Sequence, residues 1–346
     1  MGSKLNVLYQ SDDNYTVYLG VSLFSLLKNN READEIDIYV IDDEISDENR
    51  KKLFRLTERY GRKLILKDAS VLREKAADTG FESYLGFRKN RMSFLKMFVS
   101  EVVPETVEHL IYIDCDTLVC GDLRPLAEQE MYGHPIAMVQ DCLMGDCKEE
   151  IGIRRGEPYF NSGVILFDMK VWKEKKCLER IIDHARNVRV YGTVDQDFYN
   201  VVLKGDIRLL NPSYNLQGMY LAYSPRRFDR IFKQDKAYYT EEEIVAARKA
   251  PVIIHFLRFL GEYPLSATSI HPVGKRFDAY LRHSPWKDYE KKPGELAFSH
   301  RVERFLYRIL PEGCFLRIFR LFHGRMLRKS ERESRGLGSA VPDGGV

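Results

Sequence analysis

Apolar and polar positions follow two rhythms along the first two thirds of the chain. Residues 5–10 read as a short strand. Residues 15–27 read as a helix in which Leu19, Ser22, Leu23, Leu26 and Leu27 recur at helical spacing. A second strand spans residues 36–41, Ser46 opens a helix that runs to about Tyr60, and residues 63–66 form a third strand. Residues 95–103 read as helical up to Pro104. Residues 109–113, His-Leu-Ile-Tyr-Ile, have the continuous apolar run of a central parallel strand. This alternation predicts an α/β fold with a doubly wound, mostly parallel sheet. Apolar runs follow at 136–139 and 163–167, then a helix at 169–186 and another from Thr193. Residues 207–210 stop at the breaker pair Asn211-Pro212, and residues 252–256 form a late strand.

The pattern changes after Gly294. Phe305, Leu306, Ile309, Leu310, Phe315 and Leu316 interleave with Arg304, Arg308, Arg317 and Arg320. This is a basic amphipathic tail in at least two helical pieces, broken at 311–313. It suits either the interface of an anionic membrane or packing on the body with its arginines solvated. Residues 336–346 are Gly-rich and expected to be disordered. Residues 301–335 carry ten Arg or Lys against four Asp or Glu, while the whole chain is only +3, so the body is near neutral. That argues against nucleic acid as the ligand of the body. Hydrophobic residues at 44% and charged residues at 30% exclude a mainly disordered chain.

No apolar run approaches the roughly 20 residues of a membrane span. The start Met1-Gly2-Ser3-Lys4 enters the first strand without a signal-peptide pattern, and Asn6 does not fit a myristoylation signal. The expected location is cytoplasmic, with peripheral contact at the inner face of the cell membrane through residues 300–330. Cys115/Cys120 and Cys142/Cys147 share a C-x4-C spacing at the long edge of the zinc range. No His follows at zinc-finger distance, so all six cysteines, with Cys177 and Cys314, read as reduced thiols.

Five segments carry candidate chemistry. In Ile111-Tyr112-Ile113-Asp114-Cys115-Asp116-Thr117, two carboxylates follow an apolar strand at i and i+2. If the strand continued, both would point to one side at the carboxyl end of the sheet, where hard oxygens suit Mg²⁺ or Mn²⁺. A solvated turn is the bland alternative. Ser11-Asp12-Asp13-Asn14-Tyr15 lies at the first strand-to-helix turn and reads either as a nucleotide contact or as a helix cap by Asp13 or Asn14. Asn161-Ser162-Gly163 beside an apolar strand suits a sugar hydroxyl or a turn. Thr193-Val194-Asp195-Gln196-Asp197 offers carboxylates and an amide, while Thr193 and Gln196 also match a capping box. His255 ends a strand and precedes Arg258 and Gly261. With two carboxylates it would make a plausible Mn²⁺ site.

In this order the five segments resemble bacterial glycosyltransferase family 8, the retaining UDP-sugar transferases that include lipopolysaccharide galactosyl- and glucosyltransferases. The resemblance rests on D-D-N-Y, Y-I-D-C-D-T-L-V, F-N-S-G-V, D-Q-D and I-I-H-F, and spans about residues 5–264. It implies a GT-A domain over residues 1–290 and a separate tail over 291–335. It further implies Asp114, Asp116 and His255 as ligands of Mn²⁺ (or Mg²⁺). Asp12, Asp13, Asn14 and Tyr15 would contact uridine, and Asn161 and Ser162 the donor sugar. Asp195 would hold sugar hydroxyls, Gln196 would face the anomeric carbon, and Asp141 would face the sugar. Cys115 lies within the donor-binding motif. The implied partners are a UDP-sugar donor and a glycan or lipid-linked saccharide acceptor.

The chain departs from the family at two places. Phe94-Leu95-Lys96 stands where the family has Tyr-Tyr-Arg, which puts Lys96 at the donor-reaching position. Lys supplies charge without the bidentate fork of Arg. After His255 the run H-F-L-R-F-L-G-E-Y-P lacks the family's Lys and Trp. Arg258 would compensate beside Gly261, and Glu262 would repel phosphate. Two other readings remain: a UDP-sugar-binding protein without full turnover, and a haloacid-dehalogenase-type phosphatase. The latter wants Thr or Val where Leu118 stands.

Overall fold

The computed structural model describes residues 3–79, 92–143, 148–154, 156–187, 191–232 and 239–338. Strands β1 (Lys4–Asp12), β2 (Glu35–Asp43) and β3 (Lys63–Asp68) alternate with helices α1 (Thr16–Asn29), α2 (Asp47–Arg59) and α3 (Ala69–Asp78). They are followed by β4 (His109–Ile113), β5 (Thr117–Val119), β6 (Ile136–Gln140) and β7 (Phe160–Asp168). Next come α4 (Met169–Glu174), α5 (Cys177–Asn187), α6 (Val194–Val202), β8 (Ile207–Leu209) and β9 (Leu216–Gln217). Helices α7 (Gly218–Ala222), α8 (Pro225–Phe232) and α9 (Glu241–Lys249) precede β10 (Ile253–His255). Helices α10 (Gly274–Leu281), α11 (Phe298–Ile309) and α12 (Glu312–Gly338) complete the described chain.

Seven strands form the main sheet in the order β3-β2-β1-β4-β7-β6-β8. All neighbours are parallel except those of β7, which runs antiparallel to both β4 and β6. Alternate residues of one strand feed opposite faces: Ile111 and Ile113 enter one core, Leu110 and Tyr112 the other. Two buried faces explain the unbroken apolar run of β4. A small sheet of order β5-β10-β9 stands beside the main one.

Three predicted elements differ. Residues 95–103 form a 3-10 turn, Leu95–Phe98, and a single α turn, Val99–Val102. The helix expected at 169–186 is two helices, α4 and α5, separated at Lys175 and Lys176, the latter at φ 50°. The carboxylate pair does not continue β4. Asp114 to Asp116 form the corner where the chain leaves the main sheet and enters the small one. The tail packs on the body through Phe315 and Leu316, both buried in the α1-side core, and Arg304 is buried as well. Phe298, Phe305, Ile309, Leu321, Phe322 and Met326 remain exposed. Helix α12 continues through Gly338; the residues after it, and Cys147, lie outside the described ones.

Candidate active site

Sheet pairing brings together groups more than a hundred residues apart. β10 is antiparallel to β5, with His255 opposite Thr117, and the Phe256 N–H donates to the Asp116 carbonyl at 2.9 Å. The Asp114 N–H donates to the Gly163 carbonyl at 2.8 Å and so extends the β4–β7 ladder by one step. The two carboxylates therefore converge on one imidazole without strand geometry. His255 Nε2 lies 3.3 Å from Asp116 Oδ1 and 3.8 Å from Asp114 Oδ2. Gly163 makes room for this approach: a Cβ there would stand 2.1 Å from His255 Cε1.

The tautomer of His255 follows from a chain of hydrogen bonds. The Gly163 N–H donates to Asn161 Oδ1, so the Asn161 amide nitrogen faces Asp141 Oδ2, at 3.0 Å. Asn215 Nδ2 donates to the same Asn161 oxygen at 2.9 Å, which turns Asn215 Oδ1 toward His255 Nδ1, 3.0 Å away. An amide oxygen only accepts, so Nδ1 carries a proton, and Nε2 is the nitrogen that faces the carboxylates and would give its lone pair to a cation bound there. Ligand atoms of Asp114, Asp116 and His255 lie within 4.8 Å of one another. Two carboxylates and an imidazole nitrogen turned to one point fit a divalent cation such as Mn²⁺ or Mg²⁺.

Lys96 joins this cluster to a second one. Its ammonium is buried, 2.8 Å from Asp195 Oδ2 and 3.7 Å from Asp114 Oδ1, and donates to the Ser162 carbonyl at 2.9 Å. Burial works against its charge, but the two carboxylates outweigh burial and raise its pKa. Ser162 Oγ donates to Asp195 at 2.6 Å. Gln196 accepts the Ser162 N–H at 3.1 Å and donates to Asp141 Oδ2 at 3.2 Å and to the Tyr159 oxygen at 3.1 Å. No capping box forms with Thr193, whose hydroxyl donates to Asp197 instead. Burial raises Asp114, against Lys96 and His255. Burial also works upward on Asp116, but His255 and backbone N–H groups bring it below its ordinary value. On His255 burial works downward and the two carboxylates outweigh it, so its pKa is raised.

The first turn has a division of labour. Asp12 Oδ1 accepts the Tyr15 N–H at 2.8 Å, so Asp12 holds the entry to α1 and neither Asp13 nor Asn14 caps it. Asp13 Oδ1 accepts the Ser46 N–H at 2.9 Å and Asn49 Nδ2 at 2.8 Å, and these partners lower its pKa, with Asn49 foremost. Asn14 is exposed. Tyr15 meets Tyr18 and Tyr263 with ring centroids 5.5 and 6.2 Å apart, and the Arg258 guanidinium sits 5.2 Å from the Tyr263 ring centre. The Asp116 charge is felt at both Tyr15 and Tyr263, which places this aromatic group beside the carboxylate corner. Cys115 turns away, its thiol donating to the Gln10 carbonyl at 3.1 Å, so only its backbone faces the corner. Gly261, at φ +89°, lies against His300 of the tail. Glu262 does not present charge to a phosphate. It is buried, paired with Arg304 and bonded by the Ser266 and Thr268 hydroxyls.

Sequence reading missed Asn215, Tyr112 and Tyr159. Tyr112 donates to Asp114 Oδ1 at 2.6 Å, and its place two residues earlier on β4 was a usable signal. Nothing local marks Asn215, whose role depends on partners 40 and 54 positions away.

The glycosyl transferase family 8 model matches residues 6–260. The chain belongs to glycosyl transferase family 8. Its fold is the GT-A α/β fold, and the protein is a glycosyltransferase. General stress protein A of Bacillus subtilis (strain 168) is 25% identical over 287 residues, covering 82% of this chain and 94% of that protein. The lipopolysaccharide 1,2-glucosyltransferase of Escherichia coli (strain K12) is 28% identical over 327 residues, 90% of each chain. Among solved structures, the galactosyltransferase LgtC in complex with donor and acceptor sugar analogs superposes with a TM-score of 0.63 at 22% identity. That match covers 81% of this family 8 chain and 96% of LgtC. No helix among the described residues is long and apolar enough to cross a membrane.

Proposed function

We propose that this protein moves a hexose, galactose or glucose, from a UDP-sugar to a glycan or glycolipid acceptor in cell-surface polysaccharide synthesis, with retention of configuration. One observation carries the reading: Lys96 ties the Asp114–Asp116–His255 cluster directly to the Asp195–Ser162–Gln196–Asp141 network. A cation-binding corner beside a buried set of hydroxyl-holding carboxylates is what a nucleotide-sugar needs, because its diphosphate and its sugar are adjacent.

In this reading Asp114, Asp116 and His255 would hold Mn²⁺, and the ion would supply positive charge beside the diphosphate. Tyr15 and the second oxygens of Asp12 and Asp13 meet the uridine, and Arg258 compensates for the missing lysine at the diphosphate. Asp195, 2.8 Å from the Lys96 ammonium, and Asp141 orient the sugar hydroxyls. Asn161 and Ser162 complete the sugar wall. Gln196 is a neutral amide with both ends of its side chain engaged, so it makes a poor nucleophile. Front-face attack follows: the acceptor oxygen bonds to the anomeric carbon, the bond to the phosphate oxygen breaks, and that oxygen takes the acceptor proton. The exposed Phe298, Phe305, Ile309 and Leu321 of the tail would meet an anionic membrane where lipid acceptors lie.

The test is UDP release from a panel of UDP-sugars, with Mn²⁺ and with EDTA. Mn²⁺-dependent release from UDP-galactose or UDP-glucose is expected. An Asp195→Ala protein with full transfer activity would reject the sugar-holding role. Because Phe315 and Leu316 are core residues, the membrane reading is tested by Phe298→Ser/Phe305→Ser/Leu321→Ser rather than by truncation. Undiminished liposome binding in that variant would reject it.

A further inference from the structure

We propose that the cavity at the C-terminal ends of α1, α2 and α10 binds a ligand carrying two or more phosphate groups, at the edge of the sheet opposite the active site. The cavity has a volume of about 540 Å³ and is lined by Lys28, Arg31, Arg59, Arg282 and Lys287, with His283 at its side. Among the described residues no acidic one lines it. A smaller cavity of about 310 Å³ shares Arg31 and Arg59 and adds Arg62. Among the described residues none of the five main cations is in an ion pair.

The place follows from topology. β1 and β2 run parallel and end at Asp12 and Asp43, on the active-site side. Helices α1 and α2 start there and run back, so Lys28, Arg31 and Arg59 come out at the far edge. Cations at helix C-terminal ends have an ordinary explanation in the helix dipole, and magnitude decides against its sufficiency. Each end carries about half a negative charge, so three ends offset about one and a half of five positive charges. The remainder is positive charge that no protein group offsets and that solvent only screens, so a bound anion would be favoured there.

The side chains are also arranged for such a ligand. Arg31 stacks over the Tyr60 ring at 5.2 Å, and Lys28 sits over Tyr280 at the same distance. Aromatic faces steer these long side chains without neutralising them. The guanidinium forks of Arg31, Arg59 and Arg282, at or just past three helix ends, match phosphate oxygens two at a time, and several such groups at one cavity favour a multiply phosphorylated ligand over a single phosphate. Phe24 and Tyr60 give the cavity an apolar wall for the part of the ligand that carries the phosphates. A lipid head group and a free polyphosphate share this chemistry.

The probe is inorganic pyrophosphate, titrated calorimetrically into the full chain with EDTA present. Binding is expected to weaken at least tenfold in Arg31→Ala and in Arg59→Ala. Pyrophosphate affinity that ignores Arg31 and Arg59, or no binding to the unaltered protein at millimolar pyrophosphate, overturns the proposal. Both side chains are exposed, so the variants are expected to fold, with a Tm unchanged or raised as repulsion is relieved. UDP binding with Mn²⁺ in the same variants reports the active site separately and is expected to be unaltered. Vesicles of cardiolipin, whose head group carries two phosphates, then distinguish the source. Vesicle binding lost with Arg31 and Arg59 assigns a lipid head group, and vesicle binding retained while pyrophosphate binding is lost assigns a soluble ligand.

Discussion

The Arg304 guanidinium of the tail forms a buried ion pair with Glu262, seven residues after His255, and also donates to the Thr268 carbonyl. Around this pair Gly261 lies against His300, and the Phe259 ring meets Tyr307 at 5.6 Å. The tail thus clamps the loop that carries Arg258 and Tyr263. Arg304→Gln leaves a buried carboxylate unpaired and is expected to cost about 3 kcal/mol. It should raise the KM for UDP-sugar more than it lowers kcat, and the pair Glu262→Gln/Arg304→Gln should recover part of the stability. Thermal melts and steady-state kinetics check this; equal kinetics in Arg304→Gln would detach the tail from the donor site.

Asn215 acts on the metal cluster only through His255. Asn215→Leu removes the acceptor that holds the Nδ1 proton and lets the imidazole turn. Mn²⁺ affinity is expected to fall about 10- to 100-fold, as for other partners behind a metal ligand. Calorimetric Mn²⁺ titration measures the change directly, without an activity assay.

Gly163→Ala should be more severe at the same site. Its new Cβ would occupy the space of His255 Cε1, and the other neighbour within reach is Asn161 Oδ1 at 3.0 Å. The imidazole has to move, so loss of measurable Mn²⁺ binding in a folded protein is expected. Retained Mn²⁺ affinity would show that the imidazole is not a ligand.

Lys96 is the shared counter-charge of Asp114 and Asp195. Lys96→Met leaves the buried Asp195 and the half-buried Asp114 without it, at a cost of about 3 kcal/mol. Lys96→Arg, the residue type of the family motif, is expected to fold and to retain activity. Urea denaturation distinguishes the two, and equal midpoints would refute the assignment.

Acid sensitivity should arise at His271. Burial lowers its pKa to about 4, and its Nε2 donates to the Phe256 carbonyl at 2.8 Å. Below about pH 6.5 the unfolded chain binds a proton that the folded chain refuses until about pH 4. Stability therefore falls as pH drops through this window, by about 3 kcal/mol in all. His271→Gln keeps a donor for Phe256 and should flatten this part of the pH–Tm curve. An unchanged curve would assign the acid sensitivity elsewhere.

Much of the fold was legible because the signals are local. Side chains repeating every two or every 3.6 residues reveal strands and helices without reference to anything distant, and two buried faces wrote themselves into β4 as an unbroken apolar run. The carboxylates of Asp114 and Asp116, the amide of Gln196 and the imidazole of His255 were readable as chemistry for the same reason: a residue type is a local fact. What those groups face is not. The sequence pattern offered Gln196 to a capping box and Asp13 or Asn14 to a helix cap, and set Glu262 against a phosphate. Long-range packing instead gave Gln196 to Ser162 and Asp141 and Glu262 to Arg304, and within the turn itself the entry to α1 fell to Asp12. The proton position on His255 depends on Gly163, Asn161 and Asn215 in turn, which only sheet register brings into one chain of hydrogen bonds. The sequence by itself determined which elements form and which groups are available to react. Only the tertiary structure decided the partner, and so the charge and proton, of each.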